Sequence, residues 1–179
     1  MTRSWRLSLM LLGVLVGTGC RQSSQTGPAP ATSRPPLGPM YHLDHAQPKL
    51  PTLKLWLGDQ EIVAEVALTQ TQVATGMMFR QTLAENEGML FVFGYPHRAS
   101  FYMKNTTVPL TAAYLDPEGT ILELHDLQPL NESSAEAQSD QVQYVLEMKQ
   151  GWFKRHGVAP GAMIRTEFGK LAEAFVRRR

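Results

Sequence analysis

The sequence predicts a mainly β protein, a compact antiparallel barrel or sandwich with short helices. Three observations predict it: short segments alternate apolar and polar residues, turn signatures recur at short intervals, and few stretches have helical spacing. The chain has 179 residues, 43% of them hydrophobic, and a net charge of +1. A chain so close to neutral has no broad electrostatic attraction for nucleic acid, and we expect no nucleic-acid partner.

The folded domain is expected over residues 49–179, and it opens with a β-hairpin. Residues 52–57 alternate apolar and polar side chains before a turn at Gly58, and residues 61–68 supply the returning strand. The three leucines of the first strand share one face. The hairpin is therefore expected to bury that face.

Apolar runs, turn signatures and helical spacing give the remaining elements. The run 89–93 is apolar at every position, which predicts a strand buried on both faces. Thr69 or Thr71 is suited to cap the helix that comes before this strand. An Asp-Pro-Glu-Gly turn predicts a second hairpin. In order, the further elements are a helix over 69–78, strands over 89–93 and 100–106, a hairpin of 111–115 and 120–127, a loop over 128–141, a strand over 142–148, a short helix over 150–156, a strand over 163–168 and an amphipathic helix over 171–176.

The N-terminus has the layout of a bacterial lipoprotein signal peptide, residues 1–20. A basic start precedes an apolar run over 7–16, which is too short to span a bilayer. Small residues then precede Cys20, the one cysteine of the chain, and resemble a lipobox whose thiol becomes lipidated. A cut elsewhere would instead leave a free thiol. We expect an extracytoplasmic protein anchored to a membrane through Cys20, with Arg21 favouring the outer membrane.

Residues 21–48 are rich in proline, serine, threonine and glutamine and lack apolar periodicity. Such a composition cannot bury enough apolar surface to offset its conformational entropy. The sequence predicts a disordered linker between the membrane and the domain. His42 and His45 at its end are expected to be solvated.

Four ordered blocks carry a family resemblance. They are Gly76-x-Met78-x-Arg80, Gly88-Met89-Leu90-Phe91-x-Phe93, Phe101-x-Met103-Lys104-Asn105-Thr106, and Tyr144-Val145-Leu146-Glu147 with Gly151. Over residues 52–168 the chain resembles the family called domain of unknown function 192, or DUF192. The resemblance implies a compact β-rich fold with short helices and no established activity. The family usually has aspartate where this chain has Thr111, and often tryptophan where it has Tyr102.

A strand over 100–106 would place Tyr102, Lys104 and Thr106 on one polar face. If Arg80 meets that face, the two cations could bind a small anion or a polyol, with arginine as a fork and lysine as a point charge. The predicted ligand-binding residues are Arg80, His97, Tyr102, Lys104, Asn105 and Thr106. The alternative is structural: Arg80 pairs with Glu87 or caps loop carbonyls, while Asn105 and Thr106 fasten a turn.

The prediction is therefore a non-enzymatic ligand-binding module of the cell envelope, with no catalytic residue, cofactor or metal site. Two other functions stay open. One is an enzyme acting on cell-envelope carbohydrate through His97, Glu123 or Asp126, since histidine and carboxylate side chains serve in acid–base catalysis. The other is a structural protein that docks on an envelope protein.

Overall fold

A computed structural model of the chain describes residues 41–176. The predicted signal peptide, Cys20 and most of the predicted linker lie outside these residues. The elements, in chain order, are β1 Thr52–Leu57, β2 Gln60–Ala67, α1 Gln70–Thr75, β3 Glu87–His97, β4 Ser100–Phe101, β5 Leu110–Leu115, β6 Ile121–Leu127, β7 Ala135–Glu136, β8 Val142–Lys149, α2 Trp152–Arg155, β9 Arg165–Thr166, β10 Gly169–Lys170 and α3 Leu171–Val176. Each of these three helices is too short, or too polar, to cross a bilayer.

One eight-stranded sheet in the order β10-β9-β1-β2-β3-β8-β5-β6 dominates the fold, and a two-stranded sheet pairs β4 with β7. The mainly β class is confirmed, and so are both predicted hairpins, β1–β2 and β5–β6. The large sheet is sandwich-like and does not close into a barrel. It is also mixed, because β2 and β3 run parallel, so the expectation of a purely antiparallel sheet is wrong at this pair.

The parallel pair results from the long connection between its strands. Parallel neighbours need a crossover of about a dozen residues or more, and residues 68–86 supply one that includes α1. Thr69 caps α1: its hydroxyl accepts from the Gln72 N–H, and the Gln72 side chain accepts from the Thr69 N–H. The helix ends at Gly76, which has a φ of 48° and lies against the Phe91 ring.

The central strands are buried on both faces, as predicted for 89–93. Alternate side chains of β3, β5 and β8 belong to two separate apolar clusters. The first cluster contains the three leucines of β1 together with Trp152 and Phe153 of α2 and Leu171 of α3. The second is covered by residues of the connections, namely Met77, Ala99, Met103, Val108 and Ala137.

The predicted strand over 100–106 is wrong beyond Phe101, and the chain turns instead. Asn105 has a φ of 54°, a left-handed conformation that interrupts the alternation of a strand. The turn is fastened by backbone hydrogen bonds: the Met103 N–H donates to Asn131 O, and the Phe79 N–H donates to Asn105 O. The polar row of Tyr102, Lys104 and Thr106 therefore does not form.

Leu43 and Gln47, which lie within the predicted linker, contact α1 and its C-terminal cap. Gln47 is buried, and its side-chain amide donates to Gly76 O at 2.8 Å. The Leu43 N–H donates to the Thr75 hydroxyl at 3.0 Å. The first ordered contacts of the domain thus begin before residue 49. The segment 41–51 has no apolar periodicity from which these contacts could be predicted.

Gly88 of β3 provides a prediction with an internal control. A Cβ at Gly88 would lie 2.5 Å from Met148 Sδ and 2.7 Å from Glu147 O, whereas one at Gly94 of the same strand would meet nothing within 4 Å. We expect Gly88→Ala to lower the free energy of unfolding by about 1–3 kcal/mol. Gly94→Ala should change it by less than about 0.5 kcal/mol. Urea denaturation of both variants measures the difference, and equal stabilities would contradict the packing described.

Candidate functional site

A cavity of about 580 Å³ lies on the face of the large sheet that carries the second apolar cluster. This volume is within the size range of small-molecule pockets. Its floor is formed by side chains of β3, β5 and β8, including Phe91, Leu110 and Glu147. One wall is α1 with the turn that follows it, where Val73 and Met77 lie. The opposite wall is β4 and the turn after it.

The lining is predominantly apolar and aromatic. The aromatic members are Phe91, Phe93, Tyr95, Phe101 and Tyr102, and methionines 77, 78 and 103 add thioethers. The rings pack edge to face, with centroids 4.9 Å apart between Phe91 and Phe101 and 4.5 Å apart between Phe93 and His97. This packing gives the cavity a rigid apolar wall.

Glu147 is the one acidic residue of the lining. It lies on the central strand β8, paired in register with Met89 on one side and Ala112 on the other, and it is only 4% exposed. Its Oε2 is buried without a hydrogen-bond partner, and no residue in 41–176 forms an ion pair with it. Burial without partners disfavours the charged form of a carboxyl group, because the charge loses its hydration.

Burial raises the pKa of Glu147 to about 8. The group is therefore mostly protonated at neutral pH, and the carboxylic acid can donate one hydrogen bond and accept others. Lysine and arginine are absent from the part of the lining that the structure describes, where the basic groups are His42 and His97. The cavity thus combines aromatic walls with one unpaired, protonated acid at its floor.

Comparison with known proteins assigns the fold to a family. The model of the DUF192 family, described as an uncharacterized ACR, matches residues 54–166. The chain belongs to the DUF192 family. Among curated proteins, none is detectably similar to it.

Two crystal structures are similar to this DUF192 protein. One is of a "putative transcription regulator" from Sinorhizobium meliloti 1021, with 30% identity and a TM-score of 0.64, covering 68% of this chain and 98% of that one. The other is of a protein of unknown function from Novosphingobium aromaticivorans DSM 12444, with 29% identity and a TM-score of 0.60, covering 65% of this chain and 86% of that one.

Three of the six predicted ligand-binding residues of this DUF192 domain line the cavity: His97, Tyr102 and Thr106. His97 lies at the end of β3, and its Nδ1 is 3.3 Å from Tyr95 O. Tyr102 is 41% exposed at the mouth of the cavity, whereas Thr106 is buried and its hydroxyl donates to Lys104 O. Lys104 and Asn105 belong to the turn beside the cavity rather than to its lining.

Arg80 lies elsewhere, beside a second cavity of about 190 Å³. Its Nη2 donates to Glu65 Oε2 at 2.9 Å and to Pro48 O at 3.4 Å, and the two charged side chains are only 15% and 16% exposed. The structure therefore does not bring Arg80 and Lys104 to one cavity. Arg80 therefore has the structural role that was given as the alternative to anion binding. Its carboxylate partner is Glu65 instead of the expected Glu87.

The Glu65 carboxylate has a second contact, because it accepts the Leu50 N–H at 2.7 Å. This contact joins the N-terminal segment to β2 at the position where Arg80 also binds. Glu65 and Arg80 thus link three segments distant in sequence. The pair stabilises the fold of the DUF192 domain, whereas the Nε of the same guanidinium is buried without a hydrogen-bond partner.

The residues of the enzyme alternative are also separated. His125 Nε2 contacts Glu123 Oε2 at 2.7 Å on one face of β6, whereas Asp126 on the other face accepts from the Thr111 hydroxyl at 2.6 Å. Burial raises the pKa of Glu123, but the hydrogen bonds from His125 and from the N–H groups of residues 138 and 139 outweigh it, so that the net pKa is lowered. Glu123 fastens the loop before β8. Of His97, Glu123 and Asp126, only His97 lines the large cavity.

Sequence reasoning missed Glu147 as a candidate functional residue. The signal was available in part: a single acid stands between Leu146 and Met148 in a strand otherwise rich in apolar residues. Alternation along β8, however, is equally typical of a polar face that meets solvent. The burial of Glu147 depends on the connections that cover the second face, which a local pattern does not reveal.

The raised pKa of Glu147 predicts how the stability of the domain depends on pH. The native state keeps the proton that the unfolded chain loses above about pH 4.5, so the contribution of the neutral acid is fully present below that pH and is lost as pH rises toward about 8. In that window the unfolding equilibrium constant of the wild type should rise up to about tenfold per pH unit relative to Glu147→Gln. Denaturant titrations of both proteins at a series of pH values measure these unfolding equilibrium constants.

The matched control for this measurement is Glu136→Gln, which changes an exposed acid of β7. Its pH dependence should follow that of the wild type. Identical slopes for the wild type and Glu147→Gln would contradict a protonated Glu147 in the native state.

Proposed function

We propose that this DUF192 protein is a non-enzymatic binding module for a small, mainly apolar molecule that carries one polar group. The observation that supports it is Glu147, buried without a partner at the floor of an apolar cavity. Leaving a buried polar group unpaired costs about 1–3 kcal/mol. A ligand that pairs with this carboxyl group would recover that free energy on binding.

The shape of the site favours a ligand over an internal void. Well-packed interiors contain few voids larger than a water molecule, whereas this cavity is about 580 Å³ and is open at one side. Leu68 and Tyr102 at its mouth are 53% and 41% exposed. A bound molecule would cover this apolar surface, and the hydrophobic effect would contribute to its affinity.

Binding without catalysis agrees with the arrangement of the titratable groups. General acid–base catalysis requires side chains within hydrogen-bond reach of a common reacting atom. Within residues 41–176, no hydrogen bond joins Glu147 to His42 or His97, although all three line the cavity. The same region contains no group of three histidine, cysteine, aspartate or glutamate side chains that could hold a metal ion.

The chemistry of the cavity changes the expected ligand. The sequence analysis predicted a small anion or a polyol at Arg80 and Lys104, and neither residue lines the cavity. An anion would find no lysine or arginine there to balance its charge. A polyol would place several hydroxyl groups against a lining that is predominantly apolar and aromatic, which is costly. A compound with an apolar body and one polar group matches the described lining better.

The location of the protein is a separate proposal, supported by the sequence of residues 1–20. The protein would be exported and anchored to the outside of a bacterial membrane through a lipid on Cys20, where it could bind its ligand or an envelope partner. Incorporation of a labelled fatty acid by the wild type, and its loss in Cys20→Ser, is the expected result. Equal labelling of both would contradict the anchor.

A thermal-shift screen of the full-length protein against small apolar alcohols, amides, amines and acids tests the binding function. A ligand at about 100 times its dissociation constant adds about 2.7 kcal/mol of stability, which raises the midpoint by several degrees. Ala74→Phe should abolish the shift, because residue 74 of α1 lines the cavity with a short side chain. Its own midpoint without ligand shows whether it is folded.

Lys104→Ala is the matched control, since Lys104 lies outside the lining, and it should keep the full shift. Glu147→Gln should reduce the shift for compounds whose polar group pairs with the acid. The proposed site would be contradicted if no compound raised the midpoint, or if hits were unaffected in both Ala74→Phe and Glu147→Gln.

A further inference from the structure

The charges around the cavity distinguish between classes of polar group, and this inference rests on the binding function proposed above. Glu147 on β8 is the one acidic residue of the described lining. The neighbours that face it in register, Met89 of β3 and Ala112 of β5, are uncharged. A ligand with a positive charge would therefore meet the Glu147 carboxyl group with no lysine or arginine of the described lining beside it.

The walls of the cavity favour the same charge. Aromatic faces attract cations through their quadrupole, and more strongly where the cation is desolvated. Phe93, Phe101 and Tyr102 line the cavity that Glu147 also lines. An acid among aromatic rings is an arrangement that suits an ammonium group attached to an apolar body.

We propose that the ligand is an apolar amine, and that its ammonium group forms an ion pair with the Glu147 carboxylate while its body packs against Phe91, Phe93 and Phe101. The step is a proton exchange with balanced charge. An ammonium ligand binds as the Glu147 carboxyl group releases its proton to water, and a neutral amine takes that proton directly. In both cases the bound state contains one ammonium and one carboxylate.

This exchange gives the affinity a characteristic dependence on pH. Because ionised Glu147 is the form that binds an ammonium ion, affinity should rise about tenfold per pH unit up to about pH 8 and then level off. A neutral alcohol pairs with the protonated acid, so its affinity should fall above that pH. The other titratable groups around the site are His42 of the N-terminal segment, Tyr95 and His97 of β3, Tyr102 after β4 and Tyr114 of β5.

The experiment uses the full-length protein and three matched probes, phenylbutylamine, phenylbutanol and phenylbutyrate, in isothermal titration calorimetry between pH 6 and pH 9. At pH 8 we expect the amine to bind more tightly than the alcohol and the carboxylate. It should release close to one proton per molecule at pH 7 in buffers of different ionisation enthalpy, and its affinity should show the predicted slope. In Glu147→Gln, its affinity should fall about tenfold to a hundredfold and lose the slope.

The other outcomes separate this inference from the binding function. Binding of the alcohol or the carboxylate in preference to the amine would overturn the amine class and leave a ligand-binding cavity. An amine slope retained in Glu147→Gln would assign it to the histidines and overturn the ion pair. If none of the three probes binds but other compounds raise the midpoint of the wild type, the amine inference is overturned and the binding function is kept. If no compound binds in either experiment, both proposals are overturned.

Discussion

The burial of the central sheet on both faces is the constraint on which the rest of this structure depends. Neither face of strands β3, β5 and β8 is turned to solvent. The side chains on both faces must therefore pack against covering segments. One cover contains α2 and α3. The other is assembled from α1, β4, β7 and the connections between them, and it leaves a cavity of about 580 Å³ above the sheet. The cavity is thus a consequence of incomplete packing of irregular segments against an apolar sheet surface.

Within that surface, Glu147 is an exception with consequences for stability and for function. Glu65, whose side chain is 16% exposed, has Arg80 and the Leu50 N–H as partners, and it stabilises the fold. Glu147 has neither, and it occupies a position where an apolar residue would satisfy the packing. Buried groups with strongly shifted pKa values are concentrated at functional sites. The contrast between the two glutamates supports a structural role for one and a binding role for the other.

Local patterns predicted the elements that local forces determine. The two hairpins follow from alternation and turn chemistry, and the cap of α1 follows from Thr69. Local patterns did not predict the conformation where distant segments determine it. Asn105 turns left-handed because residues 79 and 131 bind the backbone around it, and β3 joins β2 in parallel because α1 crosses between them. The burial of Glu147 has the same origin, since residues 99–108 and 135–137 cover a face that alternation alone would leave to solvent.

The central claim is that Glu147 holds a proton at neutral pH because it lies unpaired in an apolar cavity. The most direct test is the carbon NMR titration of its side-chain carboxyl group, assigned by the loss of one resonance in Glu147→Gln. The account predicts that this resonance titrates near pH 8 in the folded protein. Titration near pH 4.3, the range of a solvated glutamate, would show an ionised group at neutral pH and would contradict the account.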